Sequence, residues 1–249
     1  MKHAAVDTPR DAEGRVDYNA GWHMWTDMAR YYPSAVHRRR LITECLRPLA
    51  PKSLIDVGCG TGVLLDHLRA QLPSVESFTG VDFAADTCAE NATRLPWASF
   101  RQLDLGRRAL DERFDAVVCS EVLEHVPEGD AALSHLCAMT GRWLVVTVPT
   151  GPVFPLEAGF GHLRHYEVDA LCRQIESLGL RVRRSEAWGF PWMNAFKRAS
   201  NLHPGAVMAS FGRGSWSWPQ KLVGAALTGL FYLNLHRWGP QIVVLAERL

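Results

Sequence analysis

Apolar and polar positions between residues 53 and 188 alternate between two rhythms. SLIDVG (53–58), SFTGVD (77–82), SFRQLDL (99–105), FDAVVCSEV (114–122) and RWLVVTVP (142–149) are short, β-rich apolar runs that read as strands. Between them, TGVLLDHLRAQL (61–72), AADTCAENATRL (84–95) and GDAALSHLCAMT (129–140) read as helices. YEVDALCRQIESLGL (166–180) is an amphipathic helix closed by Gly179. RVRRSEAW (181–188) alternates as a strand, and PQIVVLAERL (240–249) supplies a final one. Near-continuous apolar strands between helices predict an α/β fold, with a doubly wound, mostly parallel sheet covered on both faces.

Two segments break this alternation. Residues 1–50 precede the first strand, and residues 189–239 form a connection far longer than usual. Both are rich in Trp, Tyr, His and Pro. The expected organisation is an N-terminal helical cover (1–50), a core (51–188), an aromatic-rich helical insertion over the ligand-binding edge (189–239), and the last strand of the core sheet (240–249). Within the insertion, LVGAALTGLFYLNL (222–235) is strongly apolar but too short to span a membrane, so it reads as a buried or interfacial helix. Trp216, Trp218 and Trp238 surround it. The set Trp188, Phe190, Trp192, Phe196, Trp216 and Trp218 suits either an apolar acceptor pocket or the packing of added helices.

Composition narrows the class. The chain has 249 residues, 47% of them apolar, and a formal net charge of +1. That suits one large domain with additions, without the basic footprint of a DNA-binding protein; RNA is disfavoured on the same ground. The runs HRRR (37–40) and RVRR (181–184) read either as facing an anionic substrate or, in preference, as solvated faces. Six scattered cysteines with no CxxC pair read as reduced core residues of a cytoplasmic protein. The polar start, MKHAAVDTPRDAEGRVDY, lacks the apolar stretch of an export signal. A homodimer stays open.

The turn after the first strand carries the chemistry. Asp56 precedes a GxGxG spacing at Gly58, Gly60 and Gly62, rather than the GxGxxG of dinucleotide binders. An acid this close to the loop suits a cationic ligand. Asp82, at the end of the second strand, stands where a carboxylate can hold ribose hydroxyls. Asp104 offers a further acid after the third.

With these residues, LIDVGCGTG, TGVDF, QLDLG and FDAVVCSEVLEHV resemble, in order and at the usual separations, the motifs of the class I S-adenosylmethionine-dependent methyltransferases. The resemblance implies a Rossmann-like seven-stranded sheet with an antiparallel last strand. It also implies a cofactor, S-adenosylmethionine. Asp56 and the loop at Gly58, Cys59 and Gly60 would hold its methionine end. Asp82 and Phe83 would hold the ribose, Asp104 and Leu105 the adenine, and Ser120 the rim beside the sulfonium. VVTVPTGP with GFGHLRHYEVDALCRQIESLGLRV resembles the branch containing ubiquinone-biosynthesis O-methyltransferases and many natural-product methyltransferases. A small, partly apolar acceptor is implied, with oxygen favoured as its acceptor atom.

For an oxygen acceptor, a base or a metal helps to make the nucleophile. His125, His162 and His165 are the imidazoles at hand, and His125 and His165 are the candidate catalytic bases. SEVLEHV places Glu121, Glu124 and His125 at i, i+3 and i+4, on one side of a helical turn. With His162 they make a candidate site for Mg²⁺, Mn²⁺, Fe²⁺ or Zn²⁺. Small-RNA 2′-O-methyltransferases carry a similar arrangement, so RNA methylation is an alternative. A third reading is a cofactor-binding protein without transferase activity that meets a partner or membrane through its C-terminal aromatics.

Overall fold

The computed structural model describes residues 8–12, 14–212 and 214–249. Residues 1–7, on which the reading of the N-terminal start partly rests, lie outside the described residues, as do positions 13 and 213. Three helices come first: α1 (Tyr18–Met24), α2 (Thr26–Tyr31) and α3 (Pro33–Leu46). Then follow β1 (Ser53–Val57), α4 (Val63–Gln71), β2 (Ser77–Asp82), α5 (Ala85–Arg94), β3 (Ser99–Gln102) and β4 (Phe114–Ser120). Next are α6 (Gly129–Met139), β5 (Thr140–Pro149), α7 (Pro155–Gly159), α8 (Val168–Ser177) and β6 (Leu180–Trp188). The chain closes with α9 (Trp192–Ser200), α10 (Pro204–Phe211), α11 (Trp218–Phe231) and β7 (Gln241–Arg248).

The seven strands lie in the order β3-β2-β1-β4-β5-β7-β6. β7 is antiparallel to both β5 and β6, and the other pairings are parallel. Alternation along the buried strands splits the core in two. Ile55, Val57, Val117 and Cys119 point into a layer shared with α6 and α8. Leu54, Ala116 and Val118 point into a layer with Leu41 and Ile42 of α3, Leu65 and Leu68 of α4, Trp188 and Phe231. Parallel register brings Val57, Asp82 and Ser120 to one carboxyl edge, where open α/β sheets bind ligands.

Helix α3 corrects the expectation for HRRR. Pro33 starts the helix after an extended Tyr32, the backbone a residue before proline prefers. His37 is then fully buried against the Trp188 ring. Arg39 caps the carbonyls of Ala29 and Arg30, and Arg40 pairs with Glu44. The second run does lie at the surface: Arg181 and Arg183 are exposed, with Arg183 paired to Glu247 and Arg184 to Glu186. All six cysteines are free thiols, five of them buried. Among the described residues, no helix is long and apolar enough to cross a membrane.

Candidate active site

A cavity of about 830 Å³ opens at the carboxyl edge of the sheet. Asp56, Gly58 and Cys59 line it from the first turn, Asp82 and Phe83 from β2, and Ser120, Glu121 and His125 from the end of β4. Tyr18, Trp22 and Trp25 of the N-terminal segment line it too, as do Met193, Phe196 and Met208 of α9 and α10. Both added segments therefore share the cavity of the glycine turn.

The glycines meet protein as well as ligand space. Gly58 and Gly60 take φ of +77° and +47°, which disfavours any side chain. A Cβ at Gly58 would lie 2.2 Å from Val122, and one at Gly60 would lie 2.6 Å from the Trp22 ring. Asn91 holds the turn by donating to the Gly60 carbonyl at 2.6 Å.

The acids differ in role. Asp56 is buried, and no hydrogen bond or ion pair reaches its carboxylate among the described residues. Burial, with the Asp82 charge nearby, raises it to about 8. An unpaired buried acid facing a cavity is what a cationic ligand group would satisfy. Asp82 is buried, and its oxygens accept from the Gly60 and Ala84 N–H groups at 2.8 and 2.9 Å. Burial raises its pKa, against the pull of those two N–H groups. Asp104 accepts from the Gly106 N–H and pairs with Arg107, so it also shapes its own turn. Leu105 is buried on the cavity wall, and Phe83 is more than half exposed at the rim.

Glu121 departs from the expected helical turn. Its φ is +58°, a strained value for a residue with a side chain, and the one-turn 3-10 helix starts only at Leu123. Its carboxylate turns to Arg38 at 3.4 Å and to the Gln241 amide at 3.1 Å. Ser120 shares a hydrogen bond with Thr147 beside it. The donor atoms that come together are those of Glu124, His125 and His162, all within 4.8 Å of one another. A second group joins Glu157, His162 and His165. Glu121 belongs to neither.

Among the described residues no hydrogen bond reaches either oxygen of the fully buried Glu124, whose Oε1 lies 4.0 Å from His125 Nε2, and burial pushes its carboxyl well up. The histidines form a directed chain. The Gly151 carbonyl can only accept, so His165 donates from Nδ1 at 3.0 Å and keeps Nε2 bare. His162 must then donate from Nδ1 to that Nε2, also at 3.0 Å. Its own Nε2 is left bare. Its ring stands 4.6 Å from that of His125. Burial lowers His125 to about 4 and His162 to about 2, so both are neutral at pH 7, where an unperturbed imidazole would still be partly charged.

Sequence reasoning missed several residues here. Trp22 and Tyr18 sit on a seven-residue helix with no apolar period. Arg38 was hidden in HRRR. Lys197, buried and paired with Glu157 at 2.8 Å, and Gln241 are far away in the chain.

A Rossmann-like sheet with an unpaired acid at the glycine turn and a second buried acid at the end of β2 is the architecture of a nucleotide-binding α/β protein. The chain belongs to the methyltransferase domain family, which it matches over residues 24–185, and is an S-adenosylmethionine-dependent methyltransferase. It is 33% identical over 135 residues to a ubiquinone biosynthesis O-methyltransferase of Nitrosomonas europaea, covering 49% of this chain and 55% of that protein. A protein of the same name from Aeromonas salmonicida is 24% identical over 224 residues, covering 80% of this chain and 92% of the relative. In fold, the chain is similar to the magnesium protoporphyrin IX methyltransferase of Synechocystis PCC 6803, solved with bound S-adenosylhomocysteine. The TM-score is 0.52 at 16% identity, over 86% of this chain and 83% of that one.

A pH dependence follows from Asp56. If a cationic group of the cofactor meets the ionised carboxylate, affinity should rise by up to about tenfold per pH unit and level off above about 8, with proton release on binding. In the cofactor-free protein the sign for stability is opposite. A raised acid binds more protons folded than unfolded, so stability falls as pH climbs from about 4 to 8. Calorimetry in buffers of different ionisation enthalpy checks this; an affinity flat with pH would contradict it.

Proposed function

We propose that this methyltransferase acts on a hydroxyl of a small, apolar, ring-bearing acceptor, in quinone, natural-product or lipid-like metabolism. The observation that carries this reading is the cluster of Glu124, His125 and His162 beside a cavity shared by the glycine turn and the apolar side chains of α9 and α10. The names of the curated relatives favour oxygen as acceptor. Asp56 and the turn at Gly58, Cys59 and Gly60 hold the cofactor's methionine end. Asp82 and Phe83 hold its ribose, Asp104 and Leu105 its adenine, and Ser120 borders the sulfonium.

Methyl transfer is an in-line displacement, so the protein's work is alignment and removal of the acceptor proton. Without a metal, the neutral imidazole of His125, which lines the cavity, takes that proton. His165 acts through His162 by fixing its tautomer. Met193, Phe196 and Met208 exclude water from the apolar part of the acceptor.

The finer reading adds a divalent cation: Mg²⁺, Mn²⁺, Fe²⁺ or Zn²⁺. The donor set fits, because Glu124 is a buried carboxyl that no hydrogen bond reaches among the described residues, beside two neutral imidazoles. Glu124, His125 and His162 would hold the ion, and its chemistry would be to lower the acceptor hydroxyl's pKa as a Lewis acid. Dialysis against a chelator should then abolish turnover, and one of these ions should restore it. Full turnover in metal-free enzyme would leave the histidines as a metal-free base.

A further inference from the structure

Helix α11 is oriented the wrong way round for a surface helix in water. Its inner face packs on the protein. Phe231 is fully buried against Phe196, Gly224 lies under Trp216 and the Tyr31 carbonyl, and Lys221 pairs with Asp27. Its outer face carries Trp218, Leu222, Ala225, Ala226 and Gly229, followed by Leu233 in the next turn. These positions recur at the spacing of one helical face, and all are exposed. Trp218 is 72% exposed and Leu233 66%. A surface helix normally turns polar residues outward, and scattered single apolar residues would need no explanation, but a continuous stripe does.

The stripe continues beyond the helix. Leu235 donates its N–H to the Phe190 carbonyl, and Phe190 donates to the Trp238 carbonyl. These hydrogen bonds tie Phe190, Leu235 and Trp238 into one knot, and all three side chains are exposed.

Charge tells what this face meets. Residues 189–239 contain no Asp or Glu, but five cations: Lys197, Arg198, Arg213, Lys221 and Arg237. The rest of the chain holds all 26 acids. Lys197 and Lys221 are matched by Glu157 and Asp27 of other segments. That leaves exposed Arg198 and Arg237, the latter beside exposed Trp238, as cations with no ion pair among the described residues. A second copy of this face would bring no acid to meet them. An apolar stripe with tryptophans at both ends, in an acid-free and basic segment, matches the boundary of an anionic bilayer. The 14-residue helix, about 21 Å long, can lie in that boundary but cannot cross it.

We propose that the outer face of α11, with Phe190, Leu235 and Trp238, docks this protein on an anionic lipid bilayer surface. The proposal does not depend on which acceptor is methylated. None of the residues changed below lines the cavity.

Flotation of the full chain with phosphatidylcholine vesicles, with and without a quarter phosphatidylglycerol, tests it. The protein should float with the anionic vesicles, less with neutral ones, and less again at high salt. The triple variant Trp218→Ser, Leu222→Ser, Leu233→Ser should partition about tenfold more weakly or worse. Its S-adenosylmethionine affinity, measured by calorimetry, should be unchanged, which reports an intact fold. A wild-type protein that stays off anionic vesicles, or a folded triple variant that floats like wild type, overturns the proposal. So does a wild-type dimer in sedimentation that the triple variant dissolves while neither protein binds vesicles. That result would make a second copy the occupant.

Discussion

Glu124→Gln and His125→Ala should each lower turnover by about 10²- to 10⁴-fold while leaving cofactor affinity nearly unchanged. His125 lines the cavity and Glu124 sits behind it, both outside the glycine turn and the β2 acid proposed to hold the cofactor, so cofactor affinity should not depend on them. Glu124→Gln is the sharper test. Glu124 is buried, no hydrogen bond reaches either oxygen among the described residues, and its carboxyl is pushed well up, so a neutral amide of the same shape should not unfold the protein. A large loss of turnover without a loss of melting temperature is therefore chemical. Single-turnover rates at saturating cofactor, with calorimetry on the same variants, check the split. Rates within about threefold of wild type would remove the cluster from the reaction.

Asp82→Ala should act on the other half of the site. Losing paired hydrogen bonds to ribose hydroxyls should weaken S-adenosylmethionine binding by about 1.5–3 kcal/mol, or roughly 10- to 150-fold. The same change leaves the Gly60 and Ala84 N–H groups without their acceptor, so the turn itself loosens. Asp82→Asn separates the two effects, because its amide oxygen can still accept from one of those groups. The expected order of affinity is wild type, then Asn, then Ala, by isothermal calorimetry. An Ala variant that binds as tightly as wild type would place the ribose elsewhere.

The central strands were legible because β1, β2, β4, β5 and β7 are buried along nearly their whole length, so their apolar runs stand out. By contrast, β3 is part-exposed and β6 shows only as alternation. The first turn was legible because Gly58 and Gly60 need positive φ in a fixed frame around Asp56. Pairing across long sequence distances was not legible. Nothing near Glu121 in the chain announces Gln241 or Arg38, and the spacing of Glu121, Glu124 and His125 suggests a helical turn. The positive φ at Glu121 removes that residue from the turn and hands its carboxylate to Arg38. The aromatic set from 188 to 218 divides three ways. Trp188 and Trp216 are core, Phe196 lines the cavity, and Phe190, Trp192 and Trp218 face outward. Composition alone cannot separate those fates, because the same side chain serves each. The histidines were found by motif, but their charge state was not: burial, which spacing does not report, keeps His125 and His162 neutral.

The position of the transferred methyl group tests the account most directly. The wild-type enzyme is incubated with S-adenosylmethionine carrying a ¹³C methyl and a panel of apolar ortho-diphenols, aryl amines and activated ring carbons, and products are read by NMR and mass spectrometry. The account predicts label in an aryl methyl ether, with S-adenosylhomocysteine formed in equal amount, and loss of both products in Glu124→Gln. Label on nitrogen or carbon in preference to oxygen, or an ether formed equally well by Glu124→Gln, would contradict it.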